Sequence, residues 1–220
     1  MDEIFHKLLF YVILIFCITW HECAHALVAM WFGDNTAKDM GRVTLNPLPH
    51  LDLFGTIIIP LISIFSLSSF ALVGWGKPVL VNMRNFKRPM LYDVITALAG
   101  PFSNFLLTLI VLLSIRLLCF VSVDFGQSLF ENLILPLASI NLVLCFFNLL
   151  PIPPLDGSHL LFHLLPENLK RQYEKISIAC FIFTIVLINT PVWAYLSKLI
   201  FAALKVGIKY VGGVGIGSAT

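Results

Sequence analysis

The stretch Thr19-Trp20-His21-Glu22-Cys23-Ala24-His25 puts two imidazoles one helical turn apart, with a carboxylate about 100° round the same helix, inside an otherwise oily run. At i and i+4, His21 and His25 can chelate Zn2+ from one face, and Glu22 stands where it can take a proton from a water. A catalytic zinc needs a third protein ligand and one open position. The chain offers Asp156, in "NLLPIPPLDGSHLLFH", just after the helix-breaking prolines Pro151, Pro153 and Pro154. By itself Asp156 reads as the N-cap of the short helix "GSHLLFHLL". Paired with an HExxH elsewhere in the chain, ligation becomes the better reading. A second arrangement stays open. Asp156, His159 and His163, at i, i+3 and i+7, share one helix face and could hold a metal without His21 or His25, but they lack a base. His50, in "NPLPHLD", reads as a loop histidine.

The elements that must position these groups are dictated by solvent. Of 220 residues 59% are hydrophobic and 12% charged, and the mean hydropathy is +0.93, whereas a soluble domain carries roughly a quarter charged residues. The chain therefore reads as an integral membrane protein, and ionisable groups at membrane depth are functional by default. A net charge of +2 without a basic arm excludes nucleic acid as a partner. The five cysteines lie singly in apolar runs and read as small buried hydrophobes, not as a disulfide framework. With about 20 apolar residues needed per span, residues 4–31, 91–120 and 129–150 are long enough. The segment 54–74 is less clean, and 176–190 and 192–210 are separated by the breaker Asn189-Thr190-Pro191. The first segment is too long and too poor in basic flanks for a cleaved signal sequence. Lys198, Lys205 and Lys209 form a stripe that suits an interfacial amphipathic helix as well as a span.

Topology follows from the ligands. The loop after Asp156 carries Lys170, Arg171 and Lys175, so that end faces the cytoplasm. His21 and His25 also lie past the middle of their span. For the three to meet, both helices run the same way, which leaves room for only an odd number of crossings between them; 91–120 is one, so 54–74 dips in and returns. Its Pro60 and its serines Ser63, Ser66, Ser68 and Ser69 agree with irregular backbone lining a protein cavity. In "VGWGKPVLVN" the residues Val79, Leu80 and Val81 favour a strand, and 78–82 is expected to be an edge strand that pairs with an extended substrate. The expected architecture is an all-α polytopic membrane protein of about five to six transmembrane helices, with a re-entrant segment and a short membrane-associated β-strand or hairpin. It forms one domain over 1–220, with a core at 4–160, accessory C-terminal helices at 176–210 and a frayed tail at 211–220.

Three motifs, HExxH in an early span, "AGPFSN" opening a later one and "FNLLPIPPLDG" ending the next, resemble the site-2 protease family of intramembrane zinc metalloproteases. The resemblance covers most of residues 19–160, with "GRVTLNPLPHLD" and "GWGKPVLVN" similar to small bacterial and archaeal members. It implies one zinc held by His21, His25 and Asp156, Glu22 as catalytic base, and Asn148 holding the substrate carbonyl. It also implies transmembrane protein substrates and a bacterial cytoplasmic membrane, with the site toward the cytoplasm. The chain departs from the pattern at Ser158-His159, where a second glycine is frequent. No separate peptide-binding module is expected within 1–220. For Gly100 and Asn104 packing is expected, with Gly100 allowing close approach and Asn104 bonding across helices. Two other classes fit the ligands, a metal-ion transporter or channel and an inactive relative that binds membrane segments. Glu22 discriminates, because hydrolysis demands a base beside the metal and an ion pathway does not.

Overall fold

A computed structural model describes residues 2–65, 74–120, 130–188 and 190–207. Two described helices are long and apolar enough to cross a membrane: α1 (Asp2–Trp31), apolar from Ile4 on, and α4 (Pro89–Phe120), apolar to Leu117. Shorter apolar stretches occupy Leu53–Phe65 and Asn132–Asn148. The first joins a π-helical turn, Leu53–Ile58, to α3 (Ile59–Phe65), and the second ends in α5 (Leu135–Asn148). Beyond a four-residue α2 (Thr36–Asp39), the remainder is α6 (Gly157–Leu164), α7 (Glu167–Lys175), α8 (Ser177–Ile188) and α9 (Pro191–Gly207). The break expected at Asn189-Thr190-Pro191 falls between α8 and α9, and Pro191 opens the latter.

Helices α1, α4 and α5 pack together around two buried clusters. Ile13, Leu14, Cys17 and Ile18 of α1 meet Ile140 of α5, and Leu112 and Ile115 of α4 meet Ala138 and Leu142 of α5 together with Leu204 of α9. The interior also holds polar ties. Fully buried Asn141 donates to the Leu137 carbonyl at 2.8 Å and to Cys17 Sγ at 3.1 Å, joining α5 to α1. The outside is apolar: Phe5, Leu8, Val12 and Phe16 stand exposed on α1, as do Phe102, Leu106, Ile110 and Leu113 on α4. Stripes of that size facing water would drive aggregation, whereas facing hydrocarbon they cost nothing. This is a membrane protein.

Helix α1 ends in a left-handed Gly33 (φ 100°), with Gly33 N–H bonded to Met30 O at 3.1 Å and Asp34 N–H to Ala29 O at 3.0 Å, a Schellman closure. Asp34 then binds the far side of the following excursion. Its Oδ1 accepts from Thr36 N–H, Thr36 Oγ1 and Asn85 Nδ2, and its Oδ2 from Asn82 N–H at 2.7 Å. Farther in, Trp75 N–H donates to Gly55 O at 3.2 Å, Thr56 Oγ1 to Trp75 O at 2.7 Å, and Lys77 N–H to His50 O at 2.8 Å. Both ends of the 54–74 segment therefore lie side by side. Residues 66–73 of that segment fall outside the described residues, as does the tail 211–220.

The expected strand at 78–82 is not found: no strand occurs among the described residues, and 74–82 carries no regular structure. The physical reason is the lack of a partner. Asn82 has extended dihedrals, and among the described residues no hydrogen bond is made by the backbone of Val79, Leu80 or Val81.

Candidate metal centre

Helix α1 brings His21 and His25 to one face, and both are buried at 6% and 7% exposure. Asp156 stands at the N-cap position of α6 but makes no side-chain capping bond. Instead its carboxylate turns to the imidazoles, with Oδ2 3.0 Å from His21 Nε2 and Oδ1 3.4 Å from His25 Nε2. The turn that delivers it is tight. A Cβ on Gly157 would lie 2.3 Å from the Leu149 carbonyl oxygen, so that position admits only glycine. The second arrangement considered from sequence does not form, because His159 and His163 turn away from Asp156 to a different carboxylate, Asp93.

The donor set fits zinc. The ligand atoms of His21, His25 and Asp156 lie within 4.8 Å of one another, and the two Nε2 atoms face each other at 3.1 Å. Asp156 Oδ2, although 3.0 Å from an imidazole nitrogen, is buried and makes no aligned hydrogen bond among the described residues. Atoms that approach without aligning are what lone pairs directed at one central point produce. Neighbours set the tautomers. His25 Nδ1–H donates to the Thr96 carbonyl at 2.7 Å, leaving its Nε2 lone pair free. His21 Nδ1 lies 3.3 Å from Asn104 Nδ2, while Asn104 Oδ1 is buried without a partner among the described residues. With the amide turned over, Oδ1 accepts from Nδ1–H and His21 Nε2 keeps its lone pair; metal loading requires that orientation. Gly100 makes the room, since a Cβ there would sit 2.3 Å from His25 Nε2 and 2.6 Å from His21 Nε2. So "AGPFSN" packs α4 against α1 as expected and sets Asn104 beside His21 Nδ1, while the carbonyl that holds His25 comes from Thr96, just before the motif.

These groups open onto a cavity of about 680 Å³ that Glu22 also lines. The stretch from Gly74 to Val81 lines the same cavity through all its residues but Lys77. It presses close to α1, since a Cβ on Gly76 would lie 2.7 Å from Ile18 Cγ2 and 3.2 Å from Glu22 Cγ. Val79, Leu80 and Val81 border the cavity, and so does Asn148, whose Nδ2 donates to the Leu144 carbonyl at 3.0 Å. One amide N–H of Asn148 is thus spent within its own helix and one remains. His50 is a loop residue as read from sequence, yet wholly buried, bonding Thr44 O through Nε2 at 3.0 Å. Sequence reading passed over Asp93, an acid in the first turns of a span, although the rule that singles out HExxH applies to it equally. The role of the Thr96 carbonyl has no sequence signal.

A helical membrane protein with two histidines and an aspartate gathered at a cavity, and a glutamate on its wall, has the parts of a zinc hydrolase. The chain belongs to Peptidase family M50, the site-2 protease family, whose model matches residues 9–134 and 120–188. It is 42% identical over 192 residues to the Bacillus subtilis (strain 168) protein YwhC, named as a zinc metalloprotease, covering 84% of this chain and 81% of the relative. It is 32% identical to Rip2 of Mycolicibacterium smegmatis, also named as a zinc metalloprotease, covering 78% of this chain and 62% of that protein. Rip2 of Mycobacterium tuberculosis (strain H37Rv) is 31% identical over the same share. The chain thus spans less than two thirds of the Rip2 proteins. No solved structure matches it. The protein is a zinc metalloprotease of the site-2 protease type.

Proposed function

We propose that the protein hydrolyses peptide bonds within or near transmembrane segments of other membrane proteins, with His21, His25 and Asp156 holding the zinc and Glu22 as the base. The observation that carries this reading is the position of Glu22 on the wall of the cavity into which the three ligands converge. A zinc ion supplies Lewis acidity there, polarising a carbonyl and acidifying water. Glu22 takes the proton of the attacking water and returns it to the leaving amine. The remaining N–H of Asn148 points a donor at the substrate carbonyl. A substrate helix hides its carbonyls in i to i−4 bonds, so it must unwind locally before cleavage. The unpaired backbone of Val79, Leu80 and Val81 offers an extended substrate a partner beside Glu22, and supports the role of an edge strand formed only with substrate. With 54–74 entering and returning, the basic residues Lys38, Arg42, Lys77 and Arg84 all lie on the cytoplasmic side of a multi-pass fold in a bacterial inner membrane.

The test is zinc content together with cleavage of a membrane-spanning substrate. Glu22→Gln keeps zinc and loses nearly all turnover, while His21→Ala, His25→Ala and Asp156→Ala each lose zinc. Near wild-type cleavage by Glu22→Gln would refute the mechanism. Leu80→Pro and Val81→Pro keep zinc and lose cleavage; undiminished cleavage in both removes the strand from the reading.

A further inference from the structure

Asp93 stands in the first turns of α4, its side chain 7% exposed. Its Oδ2 accepts from His159 Nδ1–H at 2.9 Å and from His163 Nε2–H at 2.8 Å. Each imidazole uses only the one N–H of its neutral form, so the pair of bonds asks no further proton of either ring. A buried carboxylate is costly unless hydrogen-bonded, and bonds to an ionised acceptor are the strong ones. The two bonds therefore fasten α6 to α4 at both of its turns.

Helix α6 needs that fastening. It is eight residues long, shorter than the about 12–15 at which an isolated helix becomes stable in water. Leu160 and Leu164 stand exposed on it, so packing alone grips it weakly. The chain enters it through the turn that holds Pro151, Pro153 and Pro154, and Asp156, at its N-cap position, makes no side-chain capping bond. Yet Asp156 is the third ligand, and a zinc–oxygen bond at about 2.0–2.2 Å leaves only a few tenths of an ångström of play. The carboxylate is aimed only as well as α6 is held.

The same helix α4 already serves the other two ligands. Asp93, Thr96, Gly100 and Asn104 fall at i, i+3, i+7 and i+11, which is one face of α4. The Thr96 carbonyl takes His25 Nδ1–H at 2.7 Å, Gly100 leaves room for both rings, and Asn104 Nδ2 lies 3.3 Å from His21 Nδ1. Asp93 is the member of that row that reaches the element carrying Asp156.

We propose that Asp93 is a positioning residue for the metal centre: by holding His159 and His163 it sets α6 at the place and rotation where Asp156 meets His21 and His25. One face of α4 then references all three ligands, two of them directly and the third through α6.

This inference rests on the ligand reading above, and the two are separated by experiment. The probes are zinc and cobalt(II) on the full chain in detergent micelles. Competition with a chelator gives the zinc dissociation constant, and the visible bands of the cobalt-loaded protein report how the ligands are arranged. Asp93→Ala is expected to weaken zinc binding about 10- to 100-fold and to shift the cobalt bands. His163→Gln places an amide N–H where Nε2 stands and is expected to bind zinc within about twofold of wild type, whereas His163→Leu weakens it about tenfold. Asp34→Asn, which loosens the fold away from the centre, is the control: its stability falls while its zinc affinity and cobalt spectrum stay those of wild type. Wild-type affinity with an unchanged cobalt spectrum in Asp93→Ala would overturn the proposal. Equal affinities in His163→Leu and His163→Gln would do the same, and that pair decides the matter if Asp93→Ala does not fold. A loss of zinc in Asp34→Asn as large as in Asp93→Ala would mark both as effects of stability and sink the idea too. If Asp156→Ala loses zinc while Asp93→Ala and His163→Leu bind as wild type, only this inference fails. If Asp156→Ala keeps full zinc, the ligand reading fails and this inference with it.

Discussion

At the scale of single residues, the proposed centre gathers the ionisable groups of HExxH and of the Asp156 loop where hydrocarbon is the solvent, and that placement is what marks them along the chain. The groups that lie around them carry a fainter mark. Asp93 obeys the same rule, but its partners lie 66 and 70 residues away, and no spacing along the chain connects them. The part played by Gly100 is a matter of missing volume, which becomes meaningful only once α1 and α4 are in contact. It yields a direct prediction. An alanine in place of a mid-helix glycine ordinarily stabilises by roughly 0.5–1 kcal/mol, yet here the added methyl would stand 2.3 Å from His25 Nε2. Gly100→Ala should keep the helical content of the wild type and lose zinc, read by circular dichroism and metal analysis on the same sample. Full zinc occupancy would show that α1 and α4 can part without harm to the centre.

At the scale of elements, the Val-Leu-Val composition of 78–82 reads as a strand, and the described residues give it no edge to pair with. Composition reports what a segment can become, and pairing decides what it is. What fixes the stretch is Asp34 at one end and the bonds of Trp75 and Lys77 at the other. Burial pushes the Asp34 carboxyl up, but donors from Thr36, Asn82 and Asn85 outweigh it and hold the group below its ordinary value. A carboxylate with a depressed folded value contributes stability above its unfolded pKa of about 3.9, and that contribution is lost as pH falls through the folded value. Asp34→Asn should therefore cost about 2 kcal/mol at pH 7, and its deficit against wild type should shrink as the pH is lowered below about 4. Thermal unfolding of the two proteins across that range measures it. A deficit that stays constant down to pH 3 would assign the clamp to packing and not to charge.

At the scale of the whole molecule, the crossing rule that required 54–74 to turn back was an argument about parity, and the hydrogen bonds between residues 34–56 and 75–85 agree with it. The number of spans was harder to read. Only two described helices reach crossing length, and the later apolar segments are broken into shorter pieces by prolines and by Asn189-Thr190. Single cysteines at residues 38 and 84, in a background without the native five, should both react only with a reagent added from the cytoplasmic side. Reaction from opposite sides would make 54–74 a true span and would separate His21 from Asp156. That same separation along the chain has a temporal side. His21 and Asp156 are 135 positions apart, and ribosomes add about 5–20 residues per second. In the proposed centre, Glu22 and two of the three ligands therefore enter the bilayer several seconds before the third exists. During that interval the young chain sits among other newly inserted helices with an incomplete centre, so biosynthesis itself keeps the protease silent until most of it has been made.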